Sequence, residues 1–133
     1  MNITKQKTHL LTSKKLVGSV ISIENDTATV TLKITKKMVV DSFNLTHGGF
    51  VFGLADYAAM IAINKPTVVL GKAEVKFMKP VIINEKLTAK ATISERISEK
   101  KIVVNVHVSN QKEELVFEGV FVCFVLEKHI LEK

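Results

Sequence analysis

Between His47 and Lys65 the chain carries one charge, Asp56, and is apolar on nearly every side. A helix with a single apolar stripe lies on a surface, but one that is apolar all round has to be enclosed. Gly53, Ala55, Ala58, Ala59 and Ala62 are small enough to let a sheet approach closely. Pro66 follows, and proline neither continues a helix nor leaves its predecessor free to be helical. The segment from about 47 to 64 therefore predicts a buried central helix, and the rest of the chain has to wrap it.

The wrapping is legible in period-2 patterns. Leu16–Ile23 is rich in valine and isoleucine, Asn25-Asp26 supplies turn chemistry, and Ala28, Val30, Leu32 and Ile34 then alternate with polar residues. These two runs predict a hairpin. Asp41–Thr46 reads as a loop leading into the helix. Four strand-like runs follow at about 67–79, 86–97, 101–109 and 114–127, broken at Lys79-Pro80, Asn84-Glu85, Ser98-Glu99 and Asn110-Gln111. Links this short favour antiparallel pairing. The expected architecture is α+β, with about six antiparallel strands in one sheet around one long helix. Residues 1–14 read as a polar lead-in. No composition shift or internal repeat divides the 133 residues, so 1–133 is expected to be a single domain.

Composition narrows the function. Cys123 is the single cysteine and sits in an apolar run, which predicts an inert buried thiol in a reducing compartment. No secretory signal and no apolar stretch of membrane-spanning length is visible, so a cytoplasmic protein with no membrane partner is expected. The net charge of +6 invites a nucleic-acid reading, yet of the 19 basic residues only Arg96 is arginine. Base reading leans on the arginine fork, and strand binding on stacked aromatics. The lysines are scattered no more densely than in pairs, which fits a solvated surface or contacts to a small anion, and no nucleic-acid partner is expected.

Two features can carry chemistry. A carboxylate in an apolar site has a raised pKa unless it is paired, and that suits Asp56 to act as a base or nucleophile near neutral pH. Its bland alternative is a satisfied structural aspartate. His47-Gly48-Gly49 opens the helix, where unshielded N–H groups and the macrodipole favour developing negative charge. The alternative there is a simple glycine turn with His47 as a cap. His9, His107 and His129 form no metal spacing, so no metal site is expected. No nucleophile elbow, phosphate loop or dinucleotide fingerprint occurs.

At this point a resemblance is plain. His47-Gly48-Gly49-Phe50-Val51-Phe52-Gly53-Leu54-Ala55-Asp56 resembles the signature of hotdog-fold acyl-CoA thioesterases of the phenylacetate-pathway (PaaI-like) type, with the acid nine positions after the histidine. Ala73–Val81 resembles the family's strand that ends in an aromatic, two residues and proline, and Asn84-Glu85-Lys86-Leu87 stands where Gly-Asp-x-Leu is usual. The likeness spans about 16–126. It implies that Asp56 activates water or attacks the thioester carbonyl, while Gly48, with Gly49, polarises that carbonyl. It gives His47 the task of shaping the turn. It also implies a site shared across a homodimer or a dimer-of-dimers tetramer, with Asp56 of one subunit facing Gly48 of the other. Asp41, Asn44, Phe77 and Lys79 fall where the substrate would be bound. The implied partner is acyl-CoA, with coenzyme A as part of the substrate and no separate cofactor.

The chain departs from the family in four places. Asp41 replaces an asparagine six residues before the histidine, and a second carboxylate there is expected to raise the pKa of Asp56 if the two lie close. Asn44 and Asn84 replace glycines, a mild change because asparagine tolerates a left-handed backbone. Leu70 or a neighbour stands where some members have serine or threonine. Two readings follow: a thioesterase, or a hotdog module that binds acyl-CoA without turnover. A hotdog dehydratase would want a catalytic Asp/His pair in a different motif.

Overall fold

The computed structural model describes residues 4–133. Its elements are β1 (Ser19–Glu24), β2 (Thr27–Lys33), a 3-10 turn (Lys36–Met38), α1 (Gly48–Ile63), β3 (Val68–Phe77), β4 (Lys86–Arg96), β5 (Lys101–Ser109) and β6 (Leu115–Val125). The strands form one antiparallel sheet in the order β1-β2-β4-β5-β6-β3, leaving β1 and β3 as its edges. The helix packs mostly against β4, β2 and β5, so the sheet curls around it as the all-round apolar segment demands. This is the α+β hotdog architecture.

Alternation decides which faces meet. Ala28, Val30 and Leu32 of β2 point inward, as do Leu87, Ala89 and Ala91 of β4 and Ile102, Val104, Val106 and Val108 of β5. Ala28 lies opposite Ala91 and Val30 opposite Ala89, which makes a shallow floor. Ala55, Ala58, Ala59 and Ala62 of α1 are buried against the sheet. Leu54, Met60 and Ile61 fill the remaining volume, each contributing roughly 1.5–3 kcal/mol by leaving water.

The helix ends differently from the expectation. Asn64, not Pro66, stops it: Asn64 turns left-handed at φ 54°, ψ 46°, two residues before the proline. The lead-in holds that end. The Lys7 N–H donates to Asn64 Oδ1 at 2.7 Å, Asn64 Nδ2 donates to the Lys5 carbonyl at 2.9 Å, and Gln6 Nε2 donates to the Tyr57 hydroxyl at 3.1 Å. From Thr4 onward the polar lead-in is therefore a clasp across the base of the helix, and the first three residues lie outside the described ones.

Arg96, the lone arginine, holds the β1–β2 hairpin turn with a bidentate pair to Asp26 at 2.9 and 2.6 Å. Its guanidinium holds the Asp26 carboxyl below its ordinary range. Among the described residues, no helix is long and apolar enough to cross a membrane, and no His/Cys/Asp/Glu cluster could hold a metal.

Candidate active site

The entry to α1 is fixed by backbone. The Thr46 N–H donates to the Val81 carbonyl and the His47 N–H to the Met38 carbonyl, both at 2.8 Å. His47 is then the N-cap, and its Nδ1 accepts the Gly49 N–H at 2.6 Å. The two glycines serve different ends. A Cβ on Gly49 would sit 2.8 Å from the His47 ring, so glycine is what lets the imidazole fold back onto the turn. A Cβ on Gly48 would come within 3.1 Å of the Phe77 ring. With the Gly49 N–H taken by His47, the Gly48 N–H is the donor that finds no partner among the described residues, at the positive end of the helix.

A groove of about 240 Å³ opens beside this donor, lined by Thr46, Gly48, Val51, Phe77, Lys79 and Val116 among others. Phe77 is 56% exposed and braced edge-on against Phe117, with ring centroids 5.1 Å apart. Lys79, at the rim, pairs with Glu114 at 2.9 Å, an exposed bridge of little energetic weight. Thr46 is 7% exposed, and its hydroxyl is buried with no hydrogen-bond partner. Leaving such a group unpaired costs roughly 1–3 kcal/mol.

Asp56 lies eight residues beyond Gly48, about 12 Å along the axis at the α-helical rise. Its Oδ1 is also buried without a partner, and burial pushes the carboxyl up to about 6. Cys123 on β6 is pushed up to about 12, by its own burial first and then by the charge of Asp56. Asp56 therefore stands close enough to β6 to be felt there, and Phe52, one turn earlier, packs on Phe121 with centroids 5.6 Å apart. Gly53 sits between them, and a Cβ there would meet nothing within 4 Å. An interior glycine costs a helix about 0.5–1 kcal/mol relative to alanine, and nothing within this chain repays it.

The loop before the helix is held largely by its own hydrogen bonds. Asp41 turns its carboxylate to its own loop, where Oδ1 accepts the Phe43 N–H at 3.0 Å and the Leu45 N–H at 3.3 Å. The rise at Asp56 has burial as its cause and does not need Asp41. Asn44 and Asn84 do adopt the left-handed backbone expected of glycine replacements, at φ 65° and 70°. Leu70 sits on edge strand β3, just before a bulge at Gly71. Gly48, Phe77 and Lys79 thus share one groove, His47 and Gly49 form the cap above it, and Asp56 stands apart. Thr46 was not marked by the sequence, because a lone hydroxyl before a glycine turn has no pattern around it.

One helix enclosed by six antiparallel strands, with a glycine-opened helix start and a desolvated acid on that helix, defines a hotdog domain of the thioesterase kind. The chain belongs to the thioesterase superfamily, whose sequence pattern matches residues 43–117. It is 55% identical to protein PH1136 of Pyrococcus horikoshii, whose crystal structure superposes with a TM-score of 0.95 over 99% of this chain and 100% of that one. It is 41% identical over 116 residues to a methylthioribose-1-phosphate isomerase of Aquifex aeolicus, covering 86% of this chain and 25% of that protein. It is 30% identical over 134 residues to transcription factor FapR of Caldanaerobacter subterraneus, covering 99% of this chain and 64% of FapR. The chain thus spans only part of these two relatives. PaaI of Escherichia coli (24% identical, TM-score 0.78, 86% of this chain and 83% of that one) and an acetyl-CoA-bound Streptococcus mutans protein (22%, 0.78, 91% and 97%) share the fold.

Proposed function

We propose that this domain hydrolyses an acyl-CoA thioester at a site assembled from two copies of the chain, with Asp56 of one and the Gly48 N–H of the other. The observation that carries the reading is the pairing of needs on α1. The Gly48 N–H has no acceptor among the described residues, the Asp56 Oδ1 lacks a donor, and about 12 Å of helix keeps them apart within one chain. A thioester carbonyl held by the first and a water held by the second must lie within about 3 Å of each. Two antiparallel copies of α1 related by a two-fold axis would bring Gly48 of each to Asp56 of the other. Their crossing would fall near Phe52 and Gly53, where the open space above Gly53 leaves room for close approach. The superfamily membership and the acetyl-CoA-bound fold relative support the thioester and the coenzyme A arm.

In this mechanism the substrate carbonyl accepts from the Gly48 N–H, which the His47 cap holds in place. Asp56, ionised above about pH 6, takes a proton from a water that attacks the carbonyl carbon, or attacks that carbon itself to give an acyl anhydride that water then opens. In either route the C–S bond breaks, and coenzyme A leaves as a thiolate that is protonated from the water's proton. Asp56→Asn keeps the shape and removes the charge. Turnover per folded site, followed by thiol release from a panel of acyl-CoA substrates, should fall at least about a hundredfold. Full turnover by a folded variant removes Asp56 from the chemistry.

The second reading, an acyl-CoA-binding domain without turnover, is favoured by the likeness to a transcription factor over nearly the whole chain. Acyl-CoA binding by calorimetry with no thiol release from any substrate would establish it in place of hydrolysis.

A further inference from the structure

We infer that a lysine-walled groove at the β1–β2–β4 margin of the sheet binds a small phosphate-bearing anion, at a site separate from the groove beside Gly48. The inference does not depend on thioester hydrolysis. Four lysines that the sequence keeps in scattered places, Lys14, Lys15, Lys33 and Lys86, come together around an open groove of about 480 Å³. That is the size of a small-molecule site. No carboxylate lines it. The groove beside Gly48 shares none of its residues and lies across the sheet, against Phe77 of β3 and Val116 of β6.

The lysines are held in place and left without acids. Lys33 on β2 stands directly opposite Lys86 on β4, so both stems leave one face of the sheet with Cβ atoms about 5 Å apart. Like charges so placed destabilise a sheet, and an anion between them reverses the sign. The chain supplies none. The ion pairs among the described residues take Lys72, Lys79, Arg96 and Lys100. Glu85, beside Lys86 in sequence, turns its carboxylate to the Ile82 N–H and to Asn110 Nδ2. From the other side Lys14 and Lys15 sit in a closed turn. There the Ser13 carbonyl accepts the Val17 N–H at 2.8 Å, and Ser13 Oγ accepts the Leu16 N–H at 3.2 Å. Gly18 follows at φ 133°, and a Cβ on it would lie 2.8 Å from Val30, so glycine lets this turn close onto β2. Hydroxyls complete the wall. Ser19 and Thr31 are cross-strand partners, and Thr35 heads the 3-10 turn without making a capping hydrogen bond. Ammonium and hydroxyl donors with no acid among them match the acceptor oxygens and multiple charge of phosphate, which lysine binds as a point charge.

The test titrates the whole chain with pyrophosphate at fixed ionic strength. Calorimetry should show saturable binding. Lys33→Gln/Lys86→Gln should weaken it at least about tenfold, the scale of a lost charge-assisted hydrogen bond. Lys90→Gln/Lys128→Gln removes the same charge elsewhere and should change it less than about twofold, because screening confines the effect of distant charges. Without ligand the groove variant should melt above wild type, since the opposed ammonium groups are gone. Pyrophosphate should then raise the melting temperature of wild type and not that of the groove variant. Absence of saturable binding, or equal weakening by both double variants, overturns the inference. Competitive displacement of pyrophosphate by coenzyme A also overturns it, because the groove would then belong to the substrate's own site. If pyrophosphate fails to bind while phosphatidylglycerol vesicles retain wild type and release the groove variant, the lysines serve a membrane surface, and the inference is equally overturned.

Discussion

The two halves of α1 are built on opposite terms. From Tyr57 to Ile63 every side chain is buried, and the polar groups at that end are satisfied. Asn64 uses both ends of its amide on the lead-in, and the Tyr57 hydroxyl accepts from Gln6. From Gly48 to Asp56 the same helix carries an N–H without a partner among the described residues, a glycine facing open space and a buried carboxylate oxygen with no partner. The preceding residue pair adds the unpaired Thr46 hydroxyl. Among the described residues these are the two buried side-chain polar atoms without partners, one on the N-terminal half and one just before it. One half of the helix anchors the fold, and the other leaves hydrogen-bonding capacity unused within the chain, which is what the proposed two-chain site requires.

The contrast is sharpest at a core position of the anchoring half. Ile61 is fully buried, so Ile61→Ala should destabilise the fold by about 2–5 kcal/mol in chemical denaturation. A loss below about 1 kcal/mol would mean that the sheet collapses onto the helix and that packing there is not what anchors it. Next comes the clasp. Asn64→Ala removes two hydrogen bonds and forces a Cβ into a left-handed turn without the local help of an amide, which predicts a loss of about 1–3 kcal/mol. Asn64→Gly restores the backbone freedom and should recover part of it. Equal stability of wild type and Asn64→Ala would show the clasp to be idle.

The smallest of these effects has the opposite sign. Gly53→Ala should stabilise the isolated chain by about 0.5–1 kcal/mol, because its Cβ meets nothing and alanine prefers the helix. The same change should weaken association, measured by sedimentation across a concentration series, because the added methyl sits where a second α1 would pass. Unaltered association would place the partner elsewhere on the surface.

Much of this is legible in the sequence. An all-round apolar segment can only be a central helix, and alternation in 86–97 and 101–109 sets the faces of β4 and β5. His47-Gly48-Gly49 and Asp56 stood out because a glycine pair and a lone charge are conspicuous against apolar neighbours. What escaped notice depends on tertiary contact. The left-handed Asn64 stops the helix before Pro66 can, and its partners Lys5 and Lys7 lie nearly sixty residues away in sequence. Whether Asp41 lies close enough to act on Asp56 could not be read from spacing; within the chain its carboxylate caps its own loop. Thr46 became visible only once its hydroxyl was seen to have no partner.

The central claim is that Asp56 is held unsatisfied at the expense of stability, and the unfolding free energy of wild type and Asp56→Asn as a function of pH tests it most directly. The unfolded carboxyl titrates near 3.8 and the folded one at about 6. Between those values the folded chain keeps a proton that the unfolded chain has released, so wild-type stability falls as pH rises, and above about 6 the full penalty applies. Asp56→Asn escapes that penalty. The two proteins should differ least near pH 4, and the variant should gain through pH 5–6 to a plateau of about 1–3 kcal/mol by pH 8. A pH-independent difference, or a wild type more stable than the variant at pH 8, would show that the carboxylate already has its partner and would contradict the account.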